Sequence, residues 1–212
     1  MASGPFSGMR FAPTSFCGAP IPRLLGIYEL ELHWVLTRSK DSGFGCAIDI
    51  GAAEGYYAIG LVASGLAARV VAFESNPDAR QVLRSTARSN GVSDRIDVRG
   101  SCSELDLYEL SSQDIGLVIV DIEGAEVELL SVRSIERLDR AVVVVECHES
   151  IVPGCFQLLA ERLVESHSVE RCDQQPRNVI FGLGYLMRRY IVNEFRHPED
   201  CWLIAIPKRS KL

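Results

Sequence analysis

The sequence has no excess of positive charge and no apolar run long enough to cross a membrane. Its formal net charge is −6, with 28 Asp and Glu against 22 Lys and Arg. A protein that binds nucleic acid mainly through phosphates is basic, so no nucleic-acid partner is expected. No apolar run approaches the roughly 20 residues of a membrane span, and no basic stretch precedes an apolar one near the first residue. We therefore expect a cytoplasmic protein with no membrane partner.

Cysteine patterns that indicate disulfides or zinc are also absent. The seven cysteines are an odd number and form no Cys-x-x-Cys, so reduced thiols are favoured over a disulfide framework. The four histidines show no zinc-ligand spacing with the cysteines, and no metal ligand is assigned. The chain has 212 residues, of which 47% are apolar, and this suits one domain with a large core.

Two nucleotide-binding motifs are missing. No Gly-Lys-Ser or Gly-Lys-Thr occurs, which excludes a P-loop. The turn from Gly51 to Gly55 reads Gly-Ala-Ala-Glu-Gly. It lacks the middle glycine of the dinucleotide fingerprint, and Glu54 would repel a diphosphate. An NAD-dependent oxidoreductase is therefore the least favoured of the functions considered.

What is present is an alternation of apolar strands and amphipathic helices. Strands are predicted at residues 46–50, 69–73, 95–98, 115–120, 141–145, 169–172 and 201–206. Helices are predicted at residues 24–36, 56–62, 77–90, 127–132, 153–167 and 185–195. This alternation predicts an α/β fold, a Rossmann-like open and mostly parallel sheet with helices on both faces.

The chain divides into an N-terminal segment and a main domain. Residues 1–40 are predicted to form an arm and a helix that pack on the core, and residues 41–212 the domain itself. The stretch 174–200 is too long for a turn, and we expect it to be an insertion that faces the substrate. Within it, four residues could meet an anionic acceptor, although a solvated helix face explains most of them: Arg177, Arg188, Tyr190 and Arg196.

Acidic residues stand at or near the ends of four predicted strands: Asp49, Glu74, Asp121 and Glu146. The carboxyl ends of parallel strands share one edge of an open sheet, which is where ligands bind. Glu74 is placed to accept hydrogen bonds from a ribose diol. Its alternative role is helix capping, for which Ser75 or Asn76 would suffice. An acidic edge suits a nucleoside with a positive centre, such as S-adenosylmethionine.

Four motifs at the strand ends resemble those of a known family. They are residues 48–57 (IDIGAAEGYY), 71–77 (VAFESNP), 119–126 (IVDIEGAE) and 144–148 (VVECH). Their order and spacing resemble class I S-adenosylmethionine-dependent methyltransferases, and more narrowly the FkbM family. The resemblance covers residues 46–148, about half the chain. It implies a seven-stranded sheet with an antiparallel last strand, and S-adenosylmethionine as cofactor.

The resemblance also implies which residues contact the cofactor. Asp121 would lie near the amino group and the transferred methyl, and Glu74 would hold the ribose. The full set is Asp49, Gly51, Ala52, Gly55, Glu74, Ser75, Ser101, Cys102 and Asp121. Glu54, Ser75 and Cys102 depart from the residues usual in the family. These departures leave open a protein that binds S-adenosylmethionine or S-adenosylhomocysteine without catalysis.

A hydroxyl acceptor needs a group to take its proton. The four catalytic candidates are Asp121, Glu123, Glu146 and His148. Glu146 and His148 project to the same side of an extended segment and could form an acid–imidazole pair. The alternatives are a surface loop histidine and, for Glu123, a helix cap. The three acids could instead hold Mg²⁺ or Mn²⁺, a less favoured option. The resemblance implies O-methylation of a small-molecule acceptor, such as a sugar hydroxyl; no oligomeric state is predicted.

Overall fold

The computed structural model describes residues 1–11, 16, 18–38, 43–110, 114–175, 194 and 196–208. Within these residues, seven strands form one sheet in the order β3-β2-β1-β4-β5-β7-β6. The strands are β1 (Phe44–Ile50), β2 (Ala67–Phe73), β3 (Ile96–Arg99), β4 (Ile115–Val120), β5 (Val142–Cys147), β6 (His167–Asp173) and β7 (Cys201–Pro207). Each predicted strand is confirmed, with bounds that differ by no more than two residues.

Strands β1 to β5 run parallel, whereas β7 inserts antiparallel between β5 and β6. The predicted Rossmann-like sheet with an antiparallel last strand is therefore confirmed. Because β1 lies between β2 and β4, successive crossovers leave it in opposite directions. This arrangement opens a crevice at the carboxyl ends of β1 and β4, where ligands bind in such sheets.

The described chain contains eight α-helices. They are α1 (Pro20–Leu25), α2 (His33–Thr37), α3 (Tyr56–Ala63), α4 (Pro77–Ser89), α5 (Glu104–Leu110), α6 (Glu126–Leu129), α7 (Val132–Ile135) and α8 (Cys155–Leu163). None of these helices is both long and apolar enough to cross a bilayer.

The single helix predicted at 24–36 is wrong. Gly26 adopts a left-handed conformation, with φ of 76°, and ends α1. A short 3₁₀ turn, Leu30–Leu32, then leads into α2. Helix α8 is also shorter than predicted, and α5 was not predicted. The predicted helix 185–195 and most of the predicted insertion 174–200 lie outside the described residues.

Strand residues alternate between two apolar layers, one on each face of the sheet. In β5, Val142 and Val144 face the layer that contains α3, whereas Val143 and Val145 face the layer that contains α8. This alternation follows from the two-residue period of a strand. Helices cover both faces, which explains why the central strands are apolar along their whole length.

The N-terminal segment is part of the core. Phe6 and Met9 are buried in the layer that contains α3. A Cβ at Gly60 would lie 2.5 Å from the Phe6 ring, so the glycine makes room for that ring. The ring also packs edge-on against Tyr56 at 5.2 Å. Residues 1–11 therefore fix the outer surface of α3, next to the crevice.

Candidate functional site

A cavity of about 440 Å³ opens at the carboxyl ends of β1, β2 and β4. It lies in the crevice that the strand order creates, and its volume is typical of a small-molecule site. Six of the nine expected cofactor contacts line it: Gly51, Glu74, Ser75, Ser101, Cys102 and Asp121. Phe16, Ala53 and Glu123 also line it.

The loop after β1 forms one wall of the cavity and passes directly over the end of β4. Gly51 has φ of 88°. A Cβ at this position would lie 1.7 Å from the carbonyl oxygen of Asp121. Only glycine permits both the conformation and this approach. Gly51 therefore brings the loop and Asp121 together on the same side of the cavity.

Glu74 is fixed by two backbone groups. Its Oε2 accepts the Ala53 N–H at 2.8 Å, and its Oε1 accepts the Asn76 N–H at 2.7 Å. Asn76 is the residue that caps α4, because its side chain accepts the Asp78 N–H at 2.9 Å. A carboxylate has about four lone-pair positions. Glu74 therefore keeps acceptor capacity for a ligand in the cavity, and capping does not account for it.

Asp49 faces away from the cavity. It shares its side of β1 with Ala47, which packs in the layer of α3, because alternate strand residues face the same way. Its carboxyl is 2% exposed and accepts the Ala58 N–H at 2.9 Å. Burial raises the pKa of Asp49 to about 7, against the opposing effect of the Ala58 hydrogen bond. Asp49 thus holds the start of α3 rather than lining the cavity.

Ala52 and Gly55 belong to the same loop but do not line the cavity. The Ala52 N–H donates to the Phe73 carbonyl at 2.9 Å, which joins the loop to β2. A Cβ at Gly55 would lie 2.8 Å from the Leu83 side chain. These two residues fix the position of the loop, and their effect on a bound ligand is indirect.

Glu54 is buried and binds the N-terminal segment. Its carboxylate pairs with the Arg23 guanidinium and accepts the Phe16 N–H at 3.1 Å. The Arg23 guanidinium in turn stacks on the Tyr28 ring, 4.5 Å from its centre. Glu54 therefore explains how the N-terminal segment reaches the cavity wall. Sequence reasoning missed this role, because Arg23 is 31 residues away and no local pattern connects the two.

The four catalytic candidates come together at the ends of β4 and β5. His148 is buried beside four carboxylates. Its Nε2 lies 3.3 Å from Glu123 Oε2, 3.7 Å from Asp121 Oδ1 and 4.0 Å from Glu146 Oε1. Its Nδ1 lies 2.8 Å from Glu126 Oε1. The alternative of a surface loop histidine is wrong, since His148 is only 4% exposed.

The charge of His148 limits its chemical role. Burial alone would lower the pKa of His148, but hydrogen bonds to Glu123 and Glu126 and the charge of Glu146 raise it to about 11. The ring is therefore an imidazolium at neutral pH and cannot accept a proton from a substrate. It can donate hydrogen bonds and stabilise negative charge.

Asp121 is the carboxyl best placed to accept a proton. It lines the cavity, and its Oδ1 makes no hydrogen bond within the described part of the chain. Burial raises the pKa of Asp121, and the charge of His148 lowers it. A carboxyl with a raised pKa is a stronger base at neutral pH than an ordinary aspartate.

The loop after β4 is held by Glu126. Its Oε1 accepts the N–H groups of Ile122, at 3.2 Å, and Gly124, at 3.0 Å. Glu123 is therefore not the cap of this loop. Glu123 has φ of 54°, which is rare outside glycine. Its side chain is 72% exposed and reaches from the cavity to His148. Glu126 lies within the motif at 119–126, but sequence reasoning gave it no role.

Arg196 lies inside the protein, so the expectation of a solvated or acceptor-facing arginine is wrong. Its side chain is 6% exposed. Its Nη2 lies 2.6 Å from Glu29 Oε1, and its Nε lies 2.8 Å from Glu146 Oε1. The guanidinium also stacks on the Trp202 ring, 4.9 Å from its centre. Arg196 thus joins the N-terminal segment to the end of β5.

The acids fit a divalent cation poorly. Asp121, Glu146 and His148 do offer potential ligand atoms within 4.8 Å of one another. However, Arg196 already occupies Glu146 Oε1, and a histidine must be neutral to bind a metal. His148 is held as an imidazolium between Glu123 and Glu126. Two cationic side chains therefore already fill the place that a metal ion would take.

No protein-family model matches the chain, and no curated protein matches its sequence. Several solved structures are similar in fold. An O-methyltransferase from Bacillus cereus in complex with SAH is 15% identical, with a TM-score of 0.56 over 96% of this chain and 84% of that one. Cofactor-bound Rv0187 from MTB is 17% identical, with a TM-score of 0.61 over 88% and 83%. The precorrin-6y C5,15-methyltransferase from Geobacter metallireducens is 16% identical, with a TM-score of 0.57 over 86% and 88%.

These similarities show the fold of S-adenosylmethionine-dependent methyltransferases. At identities of 15 to 17% they speak for the fold alone. An O-methyltransferase and a precorrin methyltransferase both have this fold. The fold therefore does not determine which acceptor is methylated. The similarities also do not bear on the narrower resemblance to the FkbM family.

Proposed function

We propose that the protein is an S-adenosylmethionine-dependent methyltransferase that methylates a hydroxyl of a small polar acceptor, such as a sugar. One observation carries the proposal. A single cavity of about 440 Å³ has Glu74 at one end, with acceptor capacity to spare, and Asp121 at the other. A ribose diol suits the first carboxylate, and a cationic methionine group suits the second.

We name the two ends by their residues. The nucleoside end consists of Glu74, Ser75, Ser101 and Cys102. The acceptor end consists of Asp121 and Glu123, with Glu146 and His148 behind them. At the nucleoside end, Glu74 binds the ribose, while Ser75 and Cys102 flank the base. Gly51 keeps the loop clear of the methionine group between the two ends.

When bound, the cofactor supplies an activated methyl group for in-line displacement. The protein must then align the acceptor and accept its proton. Asp121 takes that proton, because it lines the cavity with a side chain that is 26% exposed, while its buried Oδ1 lies beside His148. The His148 imidazolium, 3.7 Å from Asp121 Oδ1, stabilises the charge of that carboxylate before transfer. Glu123 orients the acceptor at the cavity opening.

The catalytically inactive alternative loses part of its support. Glu54 was one of the departures that suggested it. Its carboxylate is fully buried and pairs with Arg23, so this departure serves packing of the N-terminal segment. Asp121, the group needed for turnover, faces the cavity. We therefore favour the enzyme over a binding protein.

Ligand binding and turnover test the proposal in sequence. S-adenosylhomocysteine at about 100 times its Kd should stabilise the protein by about 2.7 kcal/mol, whereas NAD should not raise the melting temperature. Incubation with S-adenosylmethionine and a panel of sugars, phenols and amines should then form S-adenosylhomocysteine with a hydroxyl acceptor. Stabilisation by NAD alone would overturn the proposal. Binding without turnover on any hydroxyl compound would favour the inactive alternative.

A further inference from the structure

Arg196 connects three segments that are distant in sequence. Its partner Glu29 belongs to the N-terminal segment, 167 residues earlier in the chain. Its partner Glu146 ends β5, next to the acceptor end. Its guanidinium rests on Trp202 of β7. A planar guanidinium with its stem buried and three fixed contacts has one available geometry. Arg196 therefore determines where the Glu146 carboxyl can lie.

The position and charge of Glu146 in turn affect the charge of Asp121. An oxygen of Glu146 and an oxygen of Asp121 lie within 4.8 Å of each other. Two carboxylates at this separation repel each other unless a cation or a proton neutralises one of them. Burial and the charge of Asp121 raise the pKa of Glu146, and a hydrogen bond with Glu146 lowers the pKa of Asp121. Arg196 is that cation for Glu146, since its Nε lies 2.8 Å from Glu146 Oε1. Its presence makes it easier for Asp121 to remain ionised.

Acids outnumber cations around Asp121, so each cation matters. The acidic groups whose charges act on Asp121 or on its neighbour His148 are Asp49 in β1, Glu29 in the N-terminal segment, Glu123 and Glu126 after β4, and Glu146 in β5. The cationic groups are His148 from β5 and Arg196 from the segment before β7. Glu31 lies 3.7 Å from Arg196 Nη1 and adds to the acidic side.

We propose that Arg196 is a positioning residue that acts through Glu146 to keep Asp121 ionised and directed at the cavity, so that the site favours the cationic cofactor over its neutral product. The inference rests on the proposed function. In methyl transfer, the acceptor oxygen forms the new bond to carbon, and the cofactor sulfur keeps the electron pair of the bond that breaks. The acceptor proton moves to Asp121. The sulfur loses its positive charge, and with it the attraction to the Asp121 carboxylate.

The sign of the pH effect follows from this charge. Burial raises the pKa of Asp121, while His148 and Arg196 lower it. The affinity for S-adenosylmethionine should fall as the pH drops through the pKa of Asp121, because the carboxyl becomes neutral. Removal of the Arg196 charge raises that pKa, and the fall should then begin at a higher pH. The thioether of S-adenosylhomocysteine carries no charge, so its affinity should follow this titration less steeply, through the amino group alone.

Isothermal titration of both ligands between pH 5.5 and pH 8 tests the inference with Arg196→Gln. The readout is the ratio of the two affinities, because the ribose, base and amino-acid group are common to both ligands and cancel. The preference for S-adenosylmethionine should fall most at the low-pH end of the range, by up to about tenfold for each unit by which the pKa of Asp121 rises. Arg196→Lys keeps a charge at the position and should restore most of the preference.

Arg171→Gln is the matched control. Arg171 lies on β6, is 41% exposed in its side chain and pairs with a single acid, Asp173, at 2.8 Å. This variant should keep the wild-type ratio at every pH. If Arg196→Gln does not fold, the double variant Arg196→Gln/Glu29→Gln also removes the carboxylate left without its partner. It is compared with Glu29→Gln alone, and the same fall at low pH is expected.

Two results would overturn the inference. In the first, Arg196→Gln keeps the ratio within about twofold of wild type across the pH range. In the second, both ligands weaken equally, which would give Arg196 a structural role only. If the wild-type protein binds neither ligand, the proposed function itself fails, so that outcome is distinct from these two.

Discussion

The nucleoside end and the acceptor end of the cavity are held by contacts of different range. At the nucleoside end, Glu74 is fixed by backbone N–H groups 21 and 2 residues away. At the acceptor end, the ion pair of Arg196 with Glu29 spans 167 residues. The first end therefore depends on the shape of a loop and the second on a balance of charges. Substitutions should separate the two, since loop shape affects the binding of both ligands, whereas charge affects turnover, pH dependence and the preference for the cationic cofactor.

Glu74→Ala should have the largest effect, and it sharpens the assignment of the nucleoside end. The variant loses the carboxylate proposed to bind the ribose and the acceptor for the Ala53 N–H. Hydrogen bonds to charged groups contribute about 1.5 to 3 kcal/mol, so we expect S-adenosylhomocysteine to bind about 100-fold more weakly in calorimetry. Asp78→Ala is the control, because Asp78 is exposed in the first turn of α4. Equal affinities in the two variants would contradict the ribose assignment.

Glu123→Gly tests the acceptor end and should have a smaller effect. Loss of its carboxylate beside His148 should lower the rate of methyl transfer about tenfold, less than the roughly 100-fold or more of a general acid or base, because Glu123 orients the acceptor and does not take its proton. S-adenosylhomocysteine affinity should change little. Glycine accepts the positive φ of this position, so the free energy of unfolding should stay within about 0.5 kcal/mol of wild type.

Glu128→Gly, the same type of substitution within a helix, is the control for Glu123→Gly. Glu128 is exposed within α6, and Glu128→Gly should cost about 1 kcal/mol of stability without affecting turnover. Urea unfolding and the turnover assay check both variants. A turnover loss in Glu128→Gly as large as in Glu123→Gly would remove the case for a specific role of Glu123.

Asp49→Asn should have the smallest effect near pH 7, and it tests whether Asp49 belongs to the cavity. The amide oxygen can still accept the Ala58 N–H, so S-adenosylhomocysteine affinity should stay within about threefold. The folded-state pKa of Asp49 is raised to about 7. Its contribution to stability is thus complete below its unfolded value, about 3.9, and is lost as the pH rises toward 7.

Urea unfolding of Asp49→Asn at pH 5 and pH 8 measures this loss directly. The wild-type protein should lose stability between the two pH values, and the variant should lose less. If both lose the same amount, Asp49 does not titrate in this range. A large loss of cofactor affinity would instead indicate that Asp49 contacts the cofactor in the cavity.

The sequence predicted the elements whose pattern is local. All seven strands were found. Five of them are short, largely apolar runs between turns, whereas β3 and β6 mix polar and apolar residues. The helix predicted at 24–36 illustrates the limit. Its spaced residues Tyr28, Leu32 and Val35 are indeed buried, but Gly26 interrupts the helix with a left-handed turn. Helix α5 was missed because Leu105 is 64% exposed, so its apolar residues do not mark one face.

The candidate site shows the same limit. The strand-end acids were found because their position in the topology is readable from the order of strands. The roles of Glu54 and Arg196 were not predicted. Their ion-pair partners are 31 and 167 residues away in the sequence, and such pairs produce no local sequence pattern. The charge of His148 was also unreadable, since it depends on Glu126 and Glu123 at distances that only the folded chain defines.

The contact of the Phe6 ring with bare backbone at Gly60 makes these two positions interdependent. An engineer who exchanges N-terminal segments between proteins of this fold would have to transfer both positions together. A donor segment with a large residue at position 6 needs glycine at position 60, and a host with alanine at position 60 needs a smaller side chain at position 6. Chimeras cut between residue 11 and β1 would otherwise be mismatched in their own core.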